Sequence, residues 1–279
     1  MTGPNSAPEA PVVDHHQVGQ FWEGNAEVWA KLSRLGYNVS RDEITLPAFL
    51  ALLPEVAGLS GLDIGCGEGH STRLLAQRGA RMTAVDIAPT FIRLAREQEE
   101  REPLGIDYRV ASALELPFPD RAFAFLVAFM SLMDIPDLGG ALWEALRVLQ
   151  PGGFLQLAIT HPCFDTPLRG WVRDGAGRKV AYQCGDYFSN VQGRVDEWLF
   201  SPTPAEVRQG LPPFQTPKFF RTLSAWVNAL IDTGFALERF DEPCAGEDTV
   251  RRFPNFAGCR LVPLWLIIRC RKPGDSRPR

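Results

Sequence analysis

Apolar positions set the first elements. Val18, Phe21, Trp22, Trp29 and Leu32 recur at helical steps within residues 15–35, and a second helical stretch at 44–53 stops near Pro54. From residue 62 the period changes. Apolar runs at 62–65, 80–86, 105–111, 122–129 and 154–160 alternate with helical stretches at 71–78, 89–99 and 138–149, the second helix opening on Pro89 where a missing N–H is harmless. Strands separated by such helices call for right-handed crossovers and a parallel sheet covered on both faces.

Residues 161–217 break the rhythm. The segment KVAYQCGDYFSNVQGRVDEWLFS holds two β-like runs around 190–193, which predicts a hairpin turning there. Phe164, Trp171, Tyr182, Tyr187, Phe188, Trp198, Phe200 and Phe214 make this an aromatic-rich cap inserted over the sheet. The rhythm resumes at 222–233, with Thr222 as a cap and Gly234 as the stop, and runs at 235–240 and 261–270 predict a closing antiparallel pair. One domain over 14–272 results, with 14–54 as a helical lid, residues 1–13 expected to be disordered and 273–279 a flexible tail.

Composition narrows the class. A net charge of -4 argues against a basic nucleic-acid groove, and no run approaches the ~18 apolar residues of a membrane span. The N-terminus has no signal-peptide pattern, so a cytoplasmic location is expected. Six cysteines without a C-x-x-C pair, and four histidines not spaced to join them, read as reduced thiols and no metal site.

The chemistry concentrates in GLDIGCGEGHSTRLLAQRGARMTAVD, residues 61–86. A dinucleotide fingerprint would need glycine where His70 stands, and a P-loop would need a Gly-Lys-Ser/Thr ending. What remains is a glycine turn at the end of a strand, with Asp63 before it and Asp86 closing the next strand. An ionised carboxylate there can accept both hydroxyls of a ribose. A nucleoside carrying a positive group near the turn fits better than one carrying phosphates.

LDIGCGEGHSTRLLA, MTAVDIAPTFIRLARE, ASALELPFPDRAFAFLVAFMSLMDIPD and EALRVLQPGGFLQLAITHPCF resemble the successive motifs of class I S-adenosylmethionine-dependent methyltransferases of the small-molecule kind. The resemblance implies a Rossmann-like, seven-stranded, mostly parallel sheet with an antiparallel last strand and helices on both faces. It implies S-adenosylmethionine as cofactor, with Asp63, Gly65, Cys66, Gly67 and Gly69 around its methionine part, Asp86 on the ribose and Ile87 on adenine. Ser112 and Ala113 approach the adenine edge and Phe129 lies near the sulfonium. Trp29, Tyr37 and Arg41 come from the helices that cover the cofactor in similar enzymes, Arg41 being able to pair with the methionine carboxylate. Ser112 stands where many members have Asp, and Ala124 replaces another.

Methyl transfer needs alignment in a dry pocket, and a base only if the nucleophile starts protonated. His161, directly after a strand, is the candidate base, with a turn role as its alternative. Phe164, Tyr182, Asp186, Tyr187 and Trp198 are candidates for substrate contact, and the aromatic cap suits a flat or largely apolar small molecule. Asp134 is read chiefly as a cap for the helix after Pro136, with substrate polarisation as its second reading. A protein that binds the cofactor without methylating is the alternative function. Base or glutamine methylation is disfavoured because FMSLMDIPD lacks an Asn/Asp-Pro-Pro-Tyr/Phe motif, and no acids cluster for a metal-dependent catechol enzyme.

Overall fold

A computed structural model describes residues 13–274. In chain order the elements are α1 (His15–Arg34), α2 (Leu46–Leu52), β1 (Ser60–Ile64), α3 (His70–Gln77), β2 (Arg81–Asp86), α4 (Pro89–Arg101), β3 (Asp107–Val110), β4 (Phe123–Phe129), α5 (Leu138–Val148) and β5 (Leu149–Thr160). The insert follows as β6 (Leu168–Arg173), β7 (Lys179–Gly185), β8 (Gln192–Trp198), the short α6 (Ala205–Arg208) and β9 (Phe214–Phe219). The chain closes with α7 (Leu223–Thr233), β10 (Ala236–Asp241), α8 (Glu247–Arg252) and β11 (Trp265–Arg271). A π-helical turn, Arg41–Thr45, leads into α2.

Local chemistry explains the helix ends. Asp14 and Gln17 form a reciprocal capping box on α1. Thr222 caps α7, which ends at the left-handed Gly234.

Seven strands form one sheet in the order β10-β11-β5-β4-β1-β2-β3, with β11 antiparallel to both neighbours and the rest parallel. This is the expected mostly parallel sheet with an antiparallel last strand. Its core is a continuous apolar layer on each face, in which Phe125 stacks on Phe154 at 5.4 Å. Burying each such ring is worth about 1.5–3 kcal/mol. Strand order reverses between β1 and β4, the switch point beyond whose carboxyl ends ligands bind in open α/β sheets.

The insert departs from the expected hairpin around 190–193. β7 pairs backwards with β6, and β8 pairs forward with β9, in two separate antiparallel ribbons. The turn that decides this is Asp174–Arg178, where the Asp174 carboxylate accepts from the N–H groups of Ala176 and Arg178 and Gly177 takes a positive φ. Residues 151–153, between the expected helix and the expected strand 154–160, lie inside the long β5, which begins at Leu149.

The expectation of disorder over 1–13 and of a flexible tail falls largely outside the described residues. Val13 is described and is buried against Val18 and Phe219.

Candidate active site

The turn between β1 and α3 is shaped by two glycines. Gly65 has φ +75°, and a Cβ there would run into Ser131, whose hydroxyl donates to the Ile64 carbonyl at 2.6 Å. Gly67 has φ +55°, a Cβ on it would meet nothing, and its N–H donates to Asp86 Oδ2 at 2.9 Å. The turn therefore presents bare backbone to open space, held by the acid at the end of β2.

That space is a cavity of about 390 Å³, lined at this end by Gly65, Cys66, Gly67, Asp86 and Ile87. Asp86 also accepts from the Ala88 N–H at 2.9 Å, so each carboxylate oxygen keeps acceptor capacity toward the cavity. Burial raises its pKa to about 6. Asp63 sits beneath the turn, fully buried, its Oδ2 accepting from Ser71 and Thr72 and its Oδ1 without a partner; burial likewise raises it to about 6.

Helix α1 closes the cavity from above, Gly19 allowing close approach to Ile87. His15 and Trp29 reach the lining from this helix and Ala113 from the loop after β3. Ser112 does not line the cavity; its hydroxyl lies 2.6 Å from His15 Nε2, while His15 Nδ1 is buried without a partner. Burial lowers the His15 pKa, which keeps the ring neutral near pH 7. Arg41 lines the cavity already paired, its Nε donating to Asp42 at 2.7 Å and its Nη1 to the buried Glu68 at 3.0 Å. Gly69 caps α3 beside Tyr108, and Tyr37 packs into the cluster of Leu32, Phe200 and Phe214; neither reaches the cavity.

Past the turn the same cavity continues as a chamber beneath the cap. Phe129 and Met130, at the end of β4, form part of its wall, and Met130 holds φ +57°, an unusual conformation for a bulky side chain. Trp198 and Phe200 close the chamber from the cap and Trp265 from the start of β11.

His161 does not line it. Its ring is buried on the other side of the strand end, Nε2 lying 2.8 Å from Glu242 and Nδ1 accepting from the Cys163 N–H. Phe164 packs on His161 and Tyr182 on Trp171; Asp186 makes a turn at φ +58°, and the Tyr187 hydroxyl accepts from the Leu223 N–H at 2.8 Å. None of these four lines the cavity, whereas Trp198 does.

Several lining residues carried no expectation. Thr160, adjacent to His161, faces the chamber because strand side chains alternate, and Lys218 enters from β9. Asp134 lies in a short 3₁₀ turn and is buried; the cap of α5 is Asp137, which accepts from the Gly140 N–H, so the cap reading of Asp134 is corrected. Burial raises the Asp134 pKa to about 7. Among the described residues no group of His, Cys, Asp or Glu side chains converges to hold a metal ion, and no helix is long and apolar enough to cross a membrane.

The donor set fits S-adenosylmethionine: bare glycine backbone, an acid with spare acceptors at the end of β2, a buried histidine nitrogen without a partner, and apolar walls. A profile described as a methyltransferase domain matches residues 62–157. A demethylmenaquinone methyltransferase of Tropheryma whipplei (strain Twist) is 38% identical over 112 residues, covering 40% of this chain and 46% of the relative. A ubiquinone biosynthesis O-methyltransferase of Methylobacterium sp. (strain 4-46) is 30% identical over 168 residues, covering 56% of this chain and 67% of the relative. The crystal structure of an S-adenosylmethionine-dependent methyltransferase from Mesorhizobium loti superposes with a TM-score of 0.65 at 28% identity, over 81% of this chain and 96% of that one. The first of these matches spans about half of the relative's own length.

With the glycine turn, Asp86 and the β11 reversal in place, the chain belongs to the class I S-adenosylmethionine-dependent methyltransferases.

Proposed function

We propose that the protein transfers a methyl group from S-adenosylmethionine to a nucleophile of a small, largely apolar acceptor. The observation that carries this reading is that one cavity is lined both by the glycine turn with Asp86 and by the aromatic side chains of the cap. Relatives named for demethylmenaquinone and ubiquinone biosynthesis support a small molecule as acceptor.

In this reading Gly65, Cys66 and Gly67 hold the methionine part of the cofactor, with Asp63 beneath them. Asp86 accepts the ribose hydroxyls, and Ile87 and Ala113 enclose adenine. His15, fixed by Ser112, offers its Nδ1 to the adenine edge, taking the place of the acid that Ser112 replaces. Arg41, tied to Asp42 and Glu68, orders the lid at the methionine end rather than standing as a free cation. Bound there, S-adenosylmethionine supplies an electrophilic methyl group with a good leaving group already attached. The protein excludes water and aligns the acceptor, and proximity of this kind is worth up to ~7–11 kcal/mol.

The test pairs calorimetric binding of S-adenosylhomocysteine with transfer of a radiolabelled methyl group to a metabolite library. Binding together with a labelled product is expected. Binding without transfer to any member would favour a cofactor-binding regulator, and no binding would remove the reading altogether.

A further inference from the structure

The Asp134 carboxylate is the chemical anomaly of the acceptor chamber. Its residue is 6% exposed, it lines the chamber, and among the described residues it makes no hydrogen bond or ion pair. Its oxygens open onto the chamber without a protein donor, so their acceptor capacity is available to a group that enters from outside. The turn that carries it is firmly placed. Arg221, half-buried, donates to the carbonyls of Met133, Ile135 and Pro136, bracketing Asp134 on both sides.

The charges around it limit what that group can be. Lys218 lines the same chamber, its Nζ 3.6 Å from Asp165, and Thr160 donates to Asp165 at 2.6 Å. Lys218 and Arg221 face Asp134 and favour its ionised form, whereas Asp165 and burial oppose it. An aliphatic amine would enter as a cation toward Lys218 and Arg221. An aliphatic alcohol is far too weak an acid for a carboxylate to deprotonate. A phenol or enol, with a pKa near 10 like that of tyrosine, lies within about three units of a carboxyl raised to about 7. Flat rings also suit walls made of Phe129, Trp198, Phe200 and Trp265.

We propose that the chamber takes a flat, neutral acceptor bearing a phenolic or enolic hydroxyl, and that Asp134 accepts the proton of that hydroxyl while Lys218 faces its oxygen. The proposal rests on the methyltransferase reading and specifies O-methylation. The acceptor's O–H bond breaks and its proton passes to Asp134. The oxygen's electron pair forms the new O–C bond, and the pair of the broken C–S bond stays on the donor's sulfur.

The test begins with binding. Protein saturated with S-adenosylhomocysteine is titrated near pH 8 with 2-naphthol and with naphthalene. 2-Naphthol should bind about tenfold more tightly or better, as expected of a hydrogen bond to a buried charge. That preference should fade as pH falls through about 7, a measurement on the unaltered protein that needs no variant. D134N should bring the two ligands within about twofold of each other while keeping S-adenosylhomocysteine affinity within about twofold of the parent. With S-adenosylmethionine and 2-naphthol, D134N should lower kcat by about a hundredfold and remove its rise with pH near 7, and K218M should have a smaller effect in the same direction.

Equal binding of naphthalene and 2-naphthol by the parent overturns the proposal, as does an unchanged preference or rate in D134N. Failure of the parent to bind S-adenosylhomocysteine would instead strike the underlying reading.

Discussion

The two ends of the cavity are built on different principles. The cofactor end is made from backbone: a glycine turn, the Gly67 N–H and the Ala88 N–H, tied together by one carboxylate within a single stretch of chain. The acceptor end is made from side chains, with Asp134, Thr160, Trp198, Lys218 and Trp265 arriving from five separate segments. Backbone presents the same groups whatever the neighbouring side chains are. Two of the side chains, Trp198 and Lys218, are borne on the cap and can be exchanged without disturbing the sheet, whereas Thr160 and Trp265 are fixed by β5 and β11.

This contrast predicts that substitutions at one end leave the other end's ligand unaffected. Gly65→Val should act most strongly. It forces a β-branched residue into a positive φ and against Ser131, costing about 2–5 kcal/mol and abolishing S-adenosylhomocysteine binding, as read by thermal unfolding and calorimetry. Asp86→Ala should follow, with a loss of S-adenosylhomocysteine affinity of about 2–4 kcal/mol, since hydrogen bonds to a charged group are worth about 1.5–3 kcal/mol each and share one carboxylate.

The same carboxylate gives the cofactor end a pH dependence. Ribose hydroxyls donate to the ionised form, and the free protein holds Asp86 at a pKa of about 6. Affinity should therefore be fully present above that pH and decline below it by up to about tenfold per unit; a flat profile from pH 7 down to about 5 would remove the assignment. The smallest effect expected is that of His15→Ala, about 0.5–1.5 kcal/mol on S-adenosylhomocysteine affinity. The loss should shrink for an analogue whose purine lacks the exocyclic amino group. An equal loss for both ligands would mean that His15 only packs. D134N completes the contrast by leaving cofactor affinity intact.

Legibility in the sequence follows the same division. The strand and helix rhythm and the β11 reversal were readable because each face of the sheet imposes its own period. The glycine turn was readable because its special conformations demand special residues in a row. The acceptor end has no such run, since Asp134 and Lys218 meet only through the packing of β9 against the 3₁₀ turn Leu132–Asp134. The pairing of β7 with β6 was missed because the Asn190–Gly193 region competes with Asp174–Gly177 as a turn, and the choice depends on hydrogen bonds of the Asp174 carboxylate. His161 illustrates the finest scale of failure. One residue along a strand end separates a side chain that enters the chamber from one that turns to Glu242.

One contact of the roof has a mechanical consequence. The buried Asn25 of α1 donates through its Nδ2 to the Gln215 carbonyl at 2.8 Å and accepts the Gln215 N–H at 2.9 Å, a side-chain amide completing the backbone of β9 as a neighbouring strand would. The helix over the cofactor and the ribbon that carries Lys218 are thereby riveted into one plate. Any displacement of α1 would therefore take β9 and Lys218 with it, which ties access at the glycine turn to the charge at the far end of the cavity.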